Sequence, residues 1–293
     1  MPAPTTLRKG ISTIVRPIPT CVLSSSAPPF ADGGHDPDRF VEIGSFTKVL
    51  TGTVLARMTA AGLLDLDDPV ERRLDRVPAG TGITLRHLAE HTSGLPRLPP
   101  GLSRRDPYAP FDEDALSALL SRLDSLTVRP AGQTEEYSNF GYAVLGAALV
   151  AAAGRPYEEL VGEHVLDPLG VDEVTARPPA DRRLCATGWF GRERAPWTMT
   201  GAILPAGGLW ATPRATADLL TGLLLDRTLG PPALSWQSAG PLKWHNGATR
   251  DASVFAGAFP ETGRWVVVHR LGGSSEGTDE AAVEHLRRAE AAT

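Results

Sequence analysis

Lysine, asparagine, cysteine and methionine are scarce in this chain of 293 residues, with three Lys, two Asn, two Cys and three Met. Two cysteines, Cys21 and Cys185, exclude a disulfide framework and a cysteine-built zinc site. They can pair once, which the sequence does not decide, and the simpler reading is two reduced thiols in a cytosolic protein. A basic stripe is missing as well. Net charge is −5 with a pI of about 5.8, and the arginines are interspersed with Asp and Glu, so neither nucleic acid nor an anionic membrane is expected as a partner. No run approaches the roughly 18 apolar residues of a membrane span. The best secretory-leader candidate, residues 11–23, is interrupted by Arg16, Pro17 and Pro19. The expected location is cytoplasmic.

What is present is an ordinary globular composition, 42% hydrophobic, without internal repeats. Short β-like runs are expected at Ile11–Arg16 and Thr20–Ser24, then a turn cluster over 31–38 and an apolar entry segment over 40–44. Val49, Leu50, Thr53, Val54, Arg57, Met58 and Ala61 recur with a period near 3.6, which predicts a helix over Phe46–Leu63. Shorter helices are predicted over Leu85–His91, Glu113–Leu123, Tyr142–Ala153, Tyr157–Val165 and Arg214–Leu225. The last part changes character, with strands Ala252–Phe259 and Trp265–Leu271 around a turn at 260–263, then a helix over Glu280–Ala292. Strands at both ends and helices between predict an α+β fold. An antiparallel sheet is built from the N- and C-terminal segments with flanking helices, and a mostly helical lobe is inserted. Residues 1–293 form a single domain on this reading, with 1–45 plus 240–293 in the sheet lobe and 46–239 in the helical lobe. A cleft between lobes is the natural place for a site.

One of the three lysines follows a serine by three residues at the start of the strongest helix, in Ser45-Phe46-Thr47-Lys48. Residues i and i+3 share a helix face, so the Lys48 amine reaches the Ser45 hydroxyl. A serine at a helix N-terminus also faces free N–H groups that favour developing negative charge. Serine alone is a weak nucleophile and needs a neighbouring base. Lys48 is that base, or it holds another base deprotonated. The first asparagine lies in Tyr137-Ser138-Asn139 and the second in His245-Asn246-Gly247. With four tyrosines and two asparagines, Y-x-N arises by chance only roughly 0.03 times in such a chain. Taken singly, Tyr137 reads as a packed aromatic and Asn139 as the cap of the following helix.

Together with the stretches IGSFTKVLTG (43–52), LLDLDDPV (63–70), LAEHTSGLP (88–96), EYSNFGYAVLG (136–146), LDPLGV (166–171), PAGGLWATPRATADLL (205–220) and HNG (245–247), the chain resembles the serine β-lactamase and penicillin-binding-protein superfamily. It is most similar to the class C-related branch that includes esterases and transacylases. The resemblance implies a β-lactamase-like fold and Ser45 as the acylated nucleophile, with Lys48 as its proton-transfer partner. It implies Tyr137 as general base, with a pKa lowered by Lys48, and Asn139 as a substrate-binding residue. His245, Asn246 and Gly247 would replace the third motif of the family on the strand edging the cleft. The backbone N–H groups of Ser45 and Ala248 would form the oxyanion hole. Two departures stand out. The third motif begins with His245 where the family carries Lys, which weakens the case for carboxylate-bearing β-lactams, with Arg250 as a candidate substitute. The segment before Ser45 is short, which suggests an open cleft and a larger acyl group.

Other motifs compete. His87, Glu90 and His91 match the H-x-x-E-H zinc-peptidase pattern, but Thr92-Ser93-Gly94 stops that helix after about one turn. The bland reading is a packing His91 beside an exposed His87. Gly273-Ser-Ser275-Glu-Gly277 matches a nucleophile elbow, but too little chain follows to supply an acid and then a His in that order. Asp65, Asp67 and Asp68 are read as turn and cap residues. The expected function is a serine acyl hydrolase acting on a small-molecule ester, thioester or amide through acyl-Ser45, with no metal and no cofactor. The alternatives are a biosynthetic acyltransferase of the same fold, a non-catalytic binding or sensor module, and a zinc peptidase at His87, Glu90 and His91.

Overall fold

Apolar residues run nearly unbroken through the strands at both ends of the chain, and the two ends pair with each other. The computed structural model describes residues 17–103, 105–188 and 190–291, so the strand expected over Ile11–Arg16 lies outside the described residues. The strands are β1 (Thr20–Ser24), β2 (Phe30–Asp32), β3 (Val41–Glu42), β4 (Val174–Thr175), β5 (Trp210–Ala211), β6 (Gln237–Ala239), β7 (Leu242–Ala248), β8 (Ala252–Phe259) and β9 (Arg264–Leu271). The helices are α1 (Thr47–Ala60), α2 (Leu85–Ala89), α3 (Glu113–Leu120), α4 (Leu123–Leu126), α5 (Asn139–Ala153), α6 (Tyr157–Val161), α7 (Asp167–Leu169), α8 (Leu204–Gly207), α9 (Pro213–Leu220) and α10 (Ser275–Ala291).

A six-stranded antiparallel sheet runs in the order β2-β1-β9-β8-β7-β6, and a small sheet runs β3-β5-β4. Successive side chains point to opposite faces. Val22, Phe255, Val266 and Val268 therefore meet Ala282 and Leu286 of α10 on one face. Cys21, Leu23, Val254, Ala256 and Val267 join the main core under the helices on the other. Each fully buried aliphatic side chain of this kind contributes about 1.5–3 kcal/mol. The fold is the α+β arrangement that the pattern predicts.

Helix α1 is the axle of the main core, with ten of its 14 residues buried. It is shorter than predicted. One 3-10 turn, Gly44–Phe46, precedes it, and Gly62 in the left-handed region (φ 73°) follows the Ala61 cap. Its buried threonines are satisfied: Thr51 donates to the Pro205 carbonyl at 2.7 Å and Thr53 to the Val49 carbonyl at 2.7 Å. Helix α5 starts earlier than predicted, because the Ser138 hydroxyl accepts from the Gly141 N–H at 2.8 Å. Ser138, not Asn139, is the cap. Helix α10 also starts earlier than predicted, and Ser275–Gly277 forms its first turn. The predicted helices at 157–165 and 214–225 relax into π-helical turns over Gly162–Leu166 and Thr221–Leu225. Among the described residues no helix is long and apolar enough to cross a membrane. Cys21 and Cys185 are both free thiols, pushed up to about 12 mainly by burial.

Candidate active site

Two glycines bring β7 against the turn that carries Ser45. Gly44 has φ +48°, and a Cβ there would lie 2.8 Å from the Ala248 nitrogen. A Cβ on Gly247 would lie 2.0 Å from the Ile43 carbonyl oxygen and 2.9 Å from the Ser45 nitrogen. No other residue type permits this approach. Strand β6 pairs with β7 only from Leu242 to Trp244, so the remainder of that edge, His245–Ala248, is left to face the Ser45 turn. The backbones of Ser45 and Ala248 thus confront each other beside the half-buried Ser45 hydroxyl.

Lys48 follows on α1 and is fully buried. Its amine lies 3.1 Å from Ser45 Oγ, 2.8 Å from Asn139 Oδ1 and 2.5 Å from the Ala206 carbonyl oxygen. Burial, assisted by the Arg97 charge, holds its pKa well below the ordinary lysine range. Asn139 opens α5, and its Nδ2 donates to the Tyr108 hydroxyl at 3.1 Å.

Tyr137 sits one residue before the Ser138 cap, with the Ser45 hydroxyl acting on its phenol. The expected lowering of its pKa by Lys48 does not occur. Burial pushes the phenol up to about 12, while the Ser45 hydrogen bond and the Arg97 charge oppose that rise. The physical reason is placement: the Lys48 amine lies over the Tyr137 ring, 4.7 Å from its centroid, and its hydrogen bonds go elsewhere.

His245 is buried beside Lys48, with Nδ1 2.6 Å from the Asn246 carbonyl oxygen. Burial and the Lys48 charge push its pKa down to about 3, so it is neutral at pH 7. Asn246 and Arg250, both expected to bind substrate, are committed elsewhere. Strand alternation turns the Asn246 amide to the other face of the sheet, where it donates to Asp279 of α10 at 2.8 Å. Arg250 donates to the carbonyl of Ala195 at 3.2 Å and to that of Arg105, which makes it a strut between two loops.

The H-x-x-E-H residues also part company. Helix α2 ends at Ala89, and His91 takes a left-handed φ of 59°. Its Nδ1 accepts from the Ser138 N–H at 3.2 Å, and its ring lies 4.4 Å from that of Tyr137. His87 is half-buried rather than exposed, and its Nδ1 accepts from the Thr84 N–H at 3.3 Å in a capping box. Among the described residues no cluster of three or more His, Cys, Asp or Glu is arranged to hold a metal.

Three further residues belong to the site region and carried no sequence signal. Arg97, one position past the SGLP stretch, is exposed, with its guanidinium 5.2 Å from the Tyr137 ring centroid. Tyr108 holds Asn139 and packs edge-on against Trp197. Glu42 accepts from the Thr249 hydroxyl at 3.0 Å, tying the strand before Ser45 to the residue after Ala248, and burial pushes its carboxyl up to about 7.

An antiparallel sheet flanked by helices, with Ser-x-x-Lys opening the buried helix and a Tyr-x-Asn segment closing over it, defines the serine β-lactamase and penicillin-binding-protein class. Residues 26–285 match the beta-lactamase family, and the chain belongs to that family. Among curated relatives it is 36% identical over 185 residues to the D-alanyl-D-alanine-carboxypeptidase/endopeptidase AmpH of Escherichia coli (strain K12), covering 60% of this chain and 46% of AmpH. The chain thus spans about half the length of that relative. Two solved structures share the fold. A beta-lactamase/D-alanine carboxypeptidase from Yersinia pestis, complexed with citrate, superposes with a TM-score of 0.76 at 23% identity, covering 94% of this chain and 93% of that one. A class C beta lactamase from Rhodobacter sphaeroides superposes with a TM-score of 0.72 at 18% identity, covering 92% and 93%.

Proposed function

We propose that the chain is a serine acyl hydrolase that opens a small-molecule ester, thioester or amide through an acyl-Ser45 intermediate. The observation that carries this reading is the set of partners around the buried Lys48 amine. Asn139 Oδ1 and the Ala206 carbonyl accept only, so a neutral amine spends both of its N–H groups on them. Its lone pair is then directed at the third partner, the Ser45 hydroxyl. The lowered pKa favours this neutral form.

Acylation follows from that arrangement. Lys48 takes the Ser45 proton as Oγ attacks the substrate carbonyl. The N–H groups of Ser45 and Ala248 hold the oxyanion, at roughly 2.7–4 kcal/mol for each donor. Tyr137, protonated at neutral pH, gives its proton to the leaving group, while Lys48 keeps the proton taken from Ser45. Tyr137 therefore serves as an acid in this step rather than as a resting phenolate. Deacylation runs the same transfers backwards, with water or another hydroxyl as the acceptor. Hydrolysis and acyl transfer thus share one apparatus, and the lifetime of the acyl-enzyme separates them from each other and from a sensor.

The test is intact-protein mass spectrometry after exposure to p-nitrophenyl acetate, a fluorophosphonate and a penicillin. A covalent adduct and a p-nitrophenol burst are expected in the native chain and not in Ser45→Ala. Unchanged turnover in Ser45→Ala would refute the mechanism.

A further inference from the structure

β7 brings no cation to this site. His245 is neutral, and the Arg250 guanidinium is spent on two loop carbonyls. The guanidinium that does reach the site comes from the opposite wall, where the 91–97 segment runs beside the start of α5. The Arg97 carbonyl accepts from the Asn139 N–H at 2.9 Å, which fixes its backbone next to the Tyr-x-Asn segment. Its side chain extends over the Tyr137 ring, 5.2 Å from the centroid. Arg72, Arg73, Arg86, Arg155, Arg182 and Arg214 each hold an Asp or Glu. Among the described residues no carboxylate forms an ion pair with Arg97. A guanidinium resting on an aromatic ring is oriented by that contact, while its in-plane N–H groups stay free for a two-pronged grip on a carboxylate. No acidic side chain figures among the charges that act on Lys48, Tyr137 or His91, whereas Arg97 figures in all three.

We propose that Arg97 is the specificity determinant of this site, binding a carboxylate carried by the acyl donor, so that the preferred substrates are anionic esters. The inference rests on the acyl-Ser45 reading and adds to it the charge of the substrate and the wall that recognises it. Charge recognition lies on the Tyr137 side of the nucleophile instead of on β7.

The experiment compares three esters in the full chain: neutral p-nitrophenyl acetate, mono-p-nitrophenyl succinate with its carboxylate in the acyl half, and 4-acetoxybenzoate with its carboxylate in the leaving half. Steady-state kcat and KM are measured for the native protein, Arg97→Gln and Arg97→Lys. Loss of one charge-assisted, two-pronged contact corresponds to about 10- to 100-fold in affinity. Arg97→Gln should therefore raise KM for one of the two carboxylate esters by about that factor relative to the neutral ester. Arg97→Lys should recover part of the loss, because it keeps the charge and loses the fork. Which ester responds tells which half of the substrate faces Arg97. An equal change for all three esters would overturn the proposal, since a merely structural role predicts it. The native protein supplies a check independent of folding: KM for the responsive ester should rise with potassium chloride while KM for p-nitrophenyl acetate stays level. A flat salt response would also overturn it. If no Ser45-dependent burst occurs with any ester, the acyl-Ser45 reading itself fails. A normal burst without charge preference sinks only the Arg97 assignment.

Discussion

Lys48 is a buried amine with no carboxylate partner among the described residues, and that single fact sets the pH behaviour of the site. Its pKa is lowered, so the neutral form proposed to accept the Ser45 proton is present well below the ordinary lysine range. Acylation should rise with pH through that lowered pKa and then hold until the Tyr137 phenol ionises near 12. His91 and His245, both pushed down to about 3, should contribute no limb near pH 6.5. A kcat/KM profile checks this, and a histidine limb there would contradict the assignment. Lys48→Met, which fills the space without a base, should slow acylation by about 10²–10⁴-fold and leave the far-ultraviolet spectrum unchanged. The contact of Ser45 with Lys48 is legible in sequence because i and i+3 meet across one helical turn. The scarcity of asparagine makes Asn139 visible. Arg97 was not legible, because only the fold lays it over Tyr137. Asn246 was misread because a three-residue motif does not reveal which face of a strand each side chain takes.

At the scale of elements, β7 and the Ser45 turn act as one unit. Gly247→Ala would place a methyl 2.0 Å from the Ile43 carbonyl oxygen, so the strand must retreat and carry Ala248 with it. The expected outcome is a folded protein that acylates about 10²–10³-fold more slowly, the cost of losing one oxyanion donor. Stopped-flow release of p-nitrophenol measures it, and an acylation rate within a factor of two of native, a bound of about 0.4 kcal/mol, would refute this role for β7. Strands β8 and β9 were legible because apolar residues fill both faces of a doubly covered sheet. Strand β7, LKWHNGA, carries a cation, a His and an Asn, and only the family resemblance implied it. The short sheet β3-β5-β4 left no periodicity to read, since two residues show none. Boundaries slipped where a side chain outside the apolar pattern decides, as Ser138 does for α5.

Over the whole molecule, four buried histidines make folding sensitive to acid. His35 is lowered to about 4, and His91, His245 and His269 to about 3, all chiefly by burial. His35 Nε2 and His269 Nδ1 also face each other at 2.8 Å. Below about pH 6.5 the unfolded chain takes up protons that the folded chain refuses, so stability falls as pH drops toward 3. Glu42 acts with opposite sign. Its folded value of about 7 lies above the unfolded carboxyl value, so it gains stability as pH falls from 7 toward 4.5. Four imidazoles outweigh one carboxyl. Urea denaturation should show the protein less stable at pH 5 than at pH 7.5, by on the order of a few kcal/mol, with the slope unchanged. Equal midpoints would show that these histidines are open to solvent. The α+β arrangement was legible because strand-like patterns cluster at the two ends of the chain. The pairing order was not, since register is a property of partners.

That pairing order also dictates a timetable. Strand β1, made early, hydrogen-bonds to β9 from Thr20↔Arg270 to Ser24↔Val266, and the Ala248 amide waits in β7 until β8 and β9 support it. Ser45, Lys48 and Tyr137 leave the ribosome long before the strand that completes their pocket. A nascent chain still tethered ahead of β9 carries the three side chains proposed to move protons, and lacks the strand that supports the Ala248 amide. On the proposed mechanism, acylating power therefore arrives in one step, when β9 closes the sheet.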